Sequence, residues 1–192
     1  MTGEAFLDAL LAARFPSPRH AFPPPEGAVL RRVVATRHPA GHWHYTSYGY
    51  SELDEKSWPD TDFSGYGMEM TFRLADDSVD PPAWPVGLFE EIATYAFDSQ
   101  RLINPGDHLL VRSRLADTLP GYAAVLCSLD PELETQYSPN GRIDFVQITA
   151  IVDAELEAVR NGRLNEVLHF LSVGDPLRVT RADRAAVVHG SP

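Results

Sequence analysis

Only one cysteine and one lysine occur among the 192 residues. The lone Cys127 excludes an internal disulfide and suits a reducing compartment, so the expected location is the cytoplasm. No apolar run is long enough to read as a membrane span. The N-terminal apolar segment (Phe6, Leu7, Leu10, Leu11) is interrupted by Asp8 and lacks a basic leader, so it does not read as a signal peptide. Positive charge is scarce overall, with a formal net charge of −11. That balance excludes a duplex-binding surface, which needs clustered Lys and Arg, and leaves room for a basic protein partner. The excess of Arg over Lys, with many Ala and Pro, points to a GC-rich genome. Catalytic signatures are missing too: no HExxH, no Cys pair, no G-x-S-x-G, and no helix after Gly65-Tyr66-Gly67 to cradle phosphate.

Aromatic residues are concentrated between Gly41 and Leu74. This stretch holds two of the three tryptophans and four of the seven tyrosines. Tyr66, Met68, Met70, Phe72 and Leu74 alternate with Gly67, Glu69, Thr71 and Arg73, the period-two pattern of a strand. His42 to Tyr50 reads as a second strand covered on both sides, with Trp43 and Tyr45 on one face and His42, His44 and Tyr48 on the other.

Around this pair, hydrophobic spacing predicts a short helix over Ala5 to Phe15, then an extended Pro-rich connector from Pro16 to Pro25, then a strand over Leu30 to Thr36. Between the aromatic strands a polar loop runs from Asp54 to Ser64, with Trp58-Pro59 as a surface anchor. Pro85 opens a helix running to about Leu102, with Leu88, Ile92, Tyr95, Ala96 and Ser99 on one stripe. Asn104-Pro105-Gly106 breaks it. Asp107 to Arg112, Tyr122 to Cys127 and Arg142 to Ile151 read as strands. Pro139-Asn140-Gly141 links a short edge segment to the last of these. Asp153 is the expected cap of a helix over Ala154 to Arg160, and Leu164, Val167, Leu168 and Leu171 define a final helix. The tail beyond Pro176 reads as polar and loose. Strands outnumber helices without β-α alternation. The expected class is therefore α+β, a single domain with a mixed, mostly antiparallel sheet flanked by helices. The expected division is 1–37 for helix, connector and first strand, 38–175 for the main domain, and 176–192 for the tail.

Three kinds of chemistry are conceivable. His42 and His44, with Glu69 from the next strand and His38 near by, could bind zinc; the bland alternative is packing imidazoles bonded to backbone. Cys127 with His108 could act as a nucleophile, but it ends an apolar run with no basic neighbour to lower its pKa. Asp107 and Asp130 could pair as general acid and base, yet 27 acidic residues make chance pairs plentiful.

GHWHYTSYGYSEL, SGYGMEMTFRL, PPAWPVGLFEEIATYAF, NPGDH and DFVQI resemble, in order and spacing, the N-terminal domain of the Suppressor of fused family. The resemblance runs from about His38 to Leu171. It implies an α+β protein-binding domain with no catalysis and no cofactor. In animals the family binds transcription factors of the Hedgehog pathway, a ligand segment adding as a strand between this domain and a C-terminal one. Bacterial chains with this domain resemble immunity proteins that neutralise polymorphic toxins. The resemblance places the ligand-contacting tyrosine on Tyr95 and the aspartate on Asp107, the expected partner-binding residues. A third, acidic contact falls on Leu129 and is not kept, which points to a partner other than the animal one. The expected protein is thus a non-enzymatic protein-binding module, an immunity protein against a cognate toxin. The rival is a metal-dependent enzyme built on His42, His44 and Glu69.

Overall fold

The computed structural model describes residues 1–57, 62–111, 115 and 117–188. The expected anchor Trp58-Pro59 and the Arg112 end of a predicted strand lie outside them. Four helices occur among the described residues: α1 (Gly3–Arg14), α2 (Trp84–Ser99), α3 (Asp153–Arg160) and α4 (Leu164–Gly174). Eight strands form one sheet: β1 (Arg19–Phe22), β2 (Arg32–Arg37), β3 (Trp43–Tyr48), β4 (Phe63–Leu74), β5 (His108–Leu110), β6 (Tyr122–Leu129), β7 (Thr135–Ser138) and β8 (Gly141–Val152). No helix among them is long and apolar enough to cross a membrane.

The sheet runs β1-β2-β3-β4-β8-β6-β5, with β7 as a hairpin partner of β8. Among these eight strands the pairings are antiparallel except β4 with β8, where Phe72 faces Ile148. The class is α+β with a mixed, mostly antiparallel sheet, as the sequence predicts. Gly141 shapes the β7–β8 turn: its φ is +116°, and a Cβ there would lie 2.8 Å from the Asp62 carbonyl oxygen. Gly3 meets a similar limit, because a Cβ would fall 2.0 Å from the Glu52 carbonyl oxygen. Only glycine lets α1 sit this close to the β3–β4 connection.

Alternation along the strands separates two layers. Val33, Ala35, Tyr45, Met70, Phe72, Val125, Ile148 and Ala150 point to the α2 side and form the main core with Leu88, Phe89, Ile92 and Ala93. On the other face two smaller clusters form. Leu7, Leu11 and Phe15 of the α1 region pack on Val34, Tyr48, Ile143 and Phe145. Leu156 and Val159 of α3, with Val167 and Leu171 of α4, pack on Ala124, Leu126 and Ile151. Between the two clusters β8 presents buried Gln147 and Thr149. That face therefore carries a polar stripe flanked by apolar ones.

Three local expectations differ. The connector contains β1, paired with β2 in a register that sets Arg19 opposite Thr36. Asp153 begins α3 rather than capping it; the Glu155 carboxylate accepts the Val152 N–H at 3.1 Å instead. The segment after Pro176 is docked, not loose. Thr180 N–H donates to the Arg73 carbonyl at 2.8 Å, Ala75 N–H donates to the Thr180 carbonyl at 2.9 Å, and Val188 is buried.

Candidate partner-binding edge

The helix α2 starts at Trp84-Pro85 and ends at Gln100, which takes a left-handed conformation with φ 52°. Its buried stripe is Leu88, Phe89, Ile92, Ala93 and Ala96. Tyr95 and Ser99, expected on that stripe, lie outside it, and Tyr95 is 43% exposed. The Phe89 and Ala93 positions rotate the helix toward the sheet, and that rotation turns the Tyr95 ring to the surface.

Beyond α2 the chain returns toward the sheet. Arg101 N–H donates to the Ala96 carbonyl at 3.1 Å, and Arg101 Nη1 donates to the Tyr95 hydroxyl oxygen at 3.2 Å. This bond raises the Arg101 guanidinium further above its ordinary value, and the Asp107 carboxylate adds to the effect. Asp107 is exposed, and its carboxylate accepts the Asn104 N–H at 2.8 Å, closing the Asn104-Pro105-Gly106 turn. Tyr95 and Asp107 both act on Arg101, the first through a hydrogen bond and the second through its charge.

Strand β5 follows directly and is the last strand of the sheet on this side among the described residues. Cys127 N–H donates to the Asp107 carbonyl at 2.8 Å, and His108 sits opposite Leu126. Hydrogen-bonded and non-bonded pairs alternate along an antiparallel ladder. Leu109 therefore bonds to β6, while the amide groups of His108 and Leu110 face outward. A groove of about 420 Å³ runs along this edge, lined by Ile92, Tyr95, His108, Leu109, Leu110 and Arg160 among others. An unpaired edge with apolar side chains and a few polar groups is the geometry that accepts an added strand. Arg101 and Arg160 were not nominated by the sequence. Arg101 had a faint signal, six residues after Tyr95 and just before the Asn-Pro-Gly turn. Arg160 had none, because α3 brings it there from far along the chain.

Leu129 closes β6 opposite Val146 and is partly buried; its carbonyl accepts from Arg178 Nη2 at 2.7 Å. The other nominated residues lie elsewhere. Cys127 is fully buried, and burial pushes its thiol up to about 12. That is an inert state for a nucleophile. Asp107 is exposed, whereas Asp130 is fully buried and bonded to Arg73.

His42 and His44 belong to the polar stripe between the two smaller clusters. Its centre is Arg73, a fully buried guanidinium. Arg73 Nε donates to Gln147 at 3.2 Å, Nη2 to Asp130 at 3.0 Å, and Nη1 to His42 Nε2 at 3.2 Å. Nη1 also lies 2.7 Å from Glu132. His44 Nε2 lies 3.3 Å from Asp130, which accepts the Thr71 hydroxyl at 2.8 Å. Burial, then the charges around His38 and Arg73, push His42 down to about 3. Burial and Arg73 likewise lower His44. Burial alone would raise Asp130, but the bond and charge of His44, the Arg73 charge and the Glu132 N–H hold it well below its usual range. Glu69 is engaged separately, accepting from the Ser47 and Ser51 hydroxyls and from the Gly49 and Ser51 N–H groups. Among the described residues no three His, Cys, Asp or Glu side chains converge on a metal position.

The family model of the Suppressor of fused protein (SUFU) matches residues 28–185. The Suppressor of fused homologs of Homo sapiens and Mus musculus are each 31% identical over 158 residues, 77% of this chain and 33% of theirs. The chain thus spans about a third of the curated relatives it matches. A chain of the Sufu-Fu complex superposes with a TM-score of 0.85 at 26% identity, covering 97% of this chain and 92% of that one. Drosophila Suppressor of Fused gives 0.69 at 27% identity, over 93% of this chain and 45% of that one. A SUFU homolog of Neisseria gonorrhoeae FA 1090 gives 0.68 at 14% identity, over 98% of both, a likeness of fold alone. The family model over residues 28–185 and the 31% identity over 77% of this chain lead to one conclusion: this chain belongs to the Suppressor of fused family.

Proposed function

We propose that the chain is a non-enzymatic protein-binding module that acts in the cytoplasm as a bacterial immunity protein. It neutralises a toxin by direct binding at the β5 edge. The observation that carries this reading is the groove beside β5, lined by exposed Leu110 and by Tyr95, whose hydroxyl is held by Arg101, next to the outward amide groups of the strand. An extended segment of the partner adds to β5 through main-chain bonds, and Tyr95 supplies an aromatic body with a polar tip. A relative of this fold is a chain of the Sufu-Fu complex, so protein engagement has precedent in the family. The net charge of −11 favours encounter with a basic partner. The immunity role rests on the resemblance to bacterial members.

The test is binding to the product of the neighbouring toxin gene. Tyr95→Ala and Asp107→Ala are expected to keep the far-ultraviolet circular dichroism of the wild type, with a small fall in urea midpoint for Asp107→Ala, whose carboxylate closes the Asn104 turn. Each should weaken binding by about 1–2 kcal/mol, the size of an ordinary interface anchor. Unchanged affinity in both variants would remove the β5 edge from consideration, and absence of any complex would remove the immunity role. For the metal-enzyme alternative, stoichiometric zinc in protein purified without a tag would be the decisive opposite result.

A further inference from the structure

The C-terminal segment carries Arg178, Arg181 and Arg184 at intervals of three, in a chain of net charge −11. All three line a cavity of about 210 Å³ on the face of the sheet that carries α4, with Leu171, Val179 and Val187 as apolar walls. The cavity shares no lining residue with the groove at β5. The three guanidinium groups are not equivalent. Arg184 is saturated: it bonds both Glu155 oxygens, at 2.5 and 2.7 Å, and the Ala150 carbonyl. Arg181 is half exposed and reaches Asp175 only at 3.9 Å. Arg178 has no carboxylate within ion-pair distance among the described residues. Its Nη2 donates to the Leu129 carbonyl and its Nη1 to the Ser172 hydroxyl at 3.4 Å, while the buried Nε makes no hydrogen bond. Burial lowers the Arg178 pKa, with the Asp130 and Asp175 charges acting against it. A guanidinium so placed gains from an anion.

Two carboxylates engage these groups, Asp175 in the cavity lining and Glu155 buried behind Arg184, and both are occupied. Asp175 accepts the Leu177 and Val179 N–H groups at 3.0 and 3.2 Å, and Glu155 holds Arg184. Glu155 matches Arg184 and Asp175 faces Arg181, which leaves Arg178 as the one of the three with no carboxylate at ion-pair distance among the described residues. A single such group suits a monoanion rather than a phosphate dianion. The apolar walls ask for carbon as well as charge. We propose that this cavity binds a carboxylate carried on a short apolar body, its oxygens on Arg178 and Arg181 and its carbon chain against Leu171, Val179 and Val187.

The probe is hexanoate, titrated into the full chain by calorimetry and by amide chemical shifts, with hexanamide as the uncharged control. Hexanoate should bind saturably and shift amides of 171–187, and hexanamide should not. Arg178→Gln should weaken hexanoate by about tenfold, the loss of a charge-assisted pair. Exposed Arg181→Gln, which leaves the buried contacts in place, should weaken it severalfold, and Arg160→Gln at the β5 groove should leave it unchanged. A leucine-terminated tripeptide with a free or amidated C-terminus separates the sources. Tighter binding of the free acid than of hexanoate assigns the site to a polypeptide end, and weaker binding assigns it to small carboxylates. Equal binding of hexanoate and hexanamide, or unchanged affinity in Arg181→Gln with Arg178→Gln unchanged or unfolded, overturns the proposal. Loss of toxin binding in Tyr95→Ala has no bearing on it.

Discussion

Arg73 is fully buried and answers four side chains at once, Gln147, His42, Asp130 and Glu132. Removing it leaves Asp130 charged in the interior without its guanidinium, with Thr71, His44 and the Glu132 and Leu133 N–H groups as its remaining partners. Arg73→Met is expected to cost about 3–5 kcal/mol in urea denaturation, the penalty of one orphaned member of a buried pair. The double variant Arg73→Met with Asp130→Asn should recover part of that loss. The histidines of the same stripe set an acid limit. An unfolded imidazole titrates near 6.5, whereas folded His42 does so at about 3. Between these values the unfolded chain binds more protons. Stability is therefore complete above about 6.5 and falls as pH drops toward 3. Asp130, held low in the fold, adds a further loss once pH falls below its ordinary carboxylate value. Urea midpoints measured across this range should show the decline. His42→Gln keeps an acceptor for Arg73 but cannot titrate, so its decline should be shallower.

At the scale of elements, β5 is three residues long and uses only one side of its backbone. Leu110→Pro removes an outward N–H that β6 does not use. Such a proline is tolerated on an edge, so the fold should persist while partner binding is lost, as a pull-down with the toxin would read. The strands β3, β4, β6 and β8 are legible in the sequence because Met68 to Leu74 alternate and Ala123 to Cys127 run apolar. The strand β1 is not, since Arg19-His20-Ala21-Phe22 has no alternation and sits between prolines; pairing with β2 makes it a strand. The candidate site is legible only in part. Tyr95 and Asp107 come from the resemblance. Spacing alone puts Tyr95 on the buried stripe of α2, because a tyrosine at helical spacing reads as core. Only Phe89 and Ala93, packed at 0% exposure, reveal the actual orientation. His42 and His44 look like ligands in sequence because their main partner, Arg73, comes from the neighbouring strand and Asp130 from far along the chain.

The whole molecule rests on one strand. β8 is buried along most of its length and meets β4, β6 and β7, so it joins the α2 core to both clusters on the other face. Its pairing with β4 is the one parallel pairing among the eight described strands, and everything from α2 through β7 lies in sequence between the two strands. A chain built this way must close that long excursion before its central contacts can form. Its folding should therefore be slow for its size. Ile148→Val, opposite Phe72, should cost about 1 kcal/mol. Stopped-flow chevrons should place most of that cost on the refolding rate and little on unfolding. During that delay the β5 edge and the apolar faces of β4 and β8 are exposed together, so the nascent protein is most prone to associate with other chains before the parallel pair has closed.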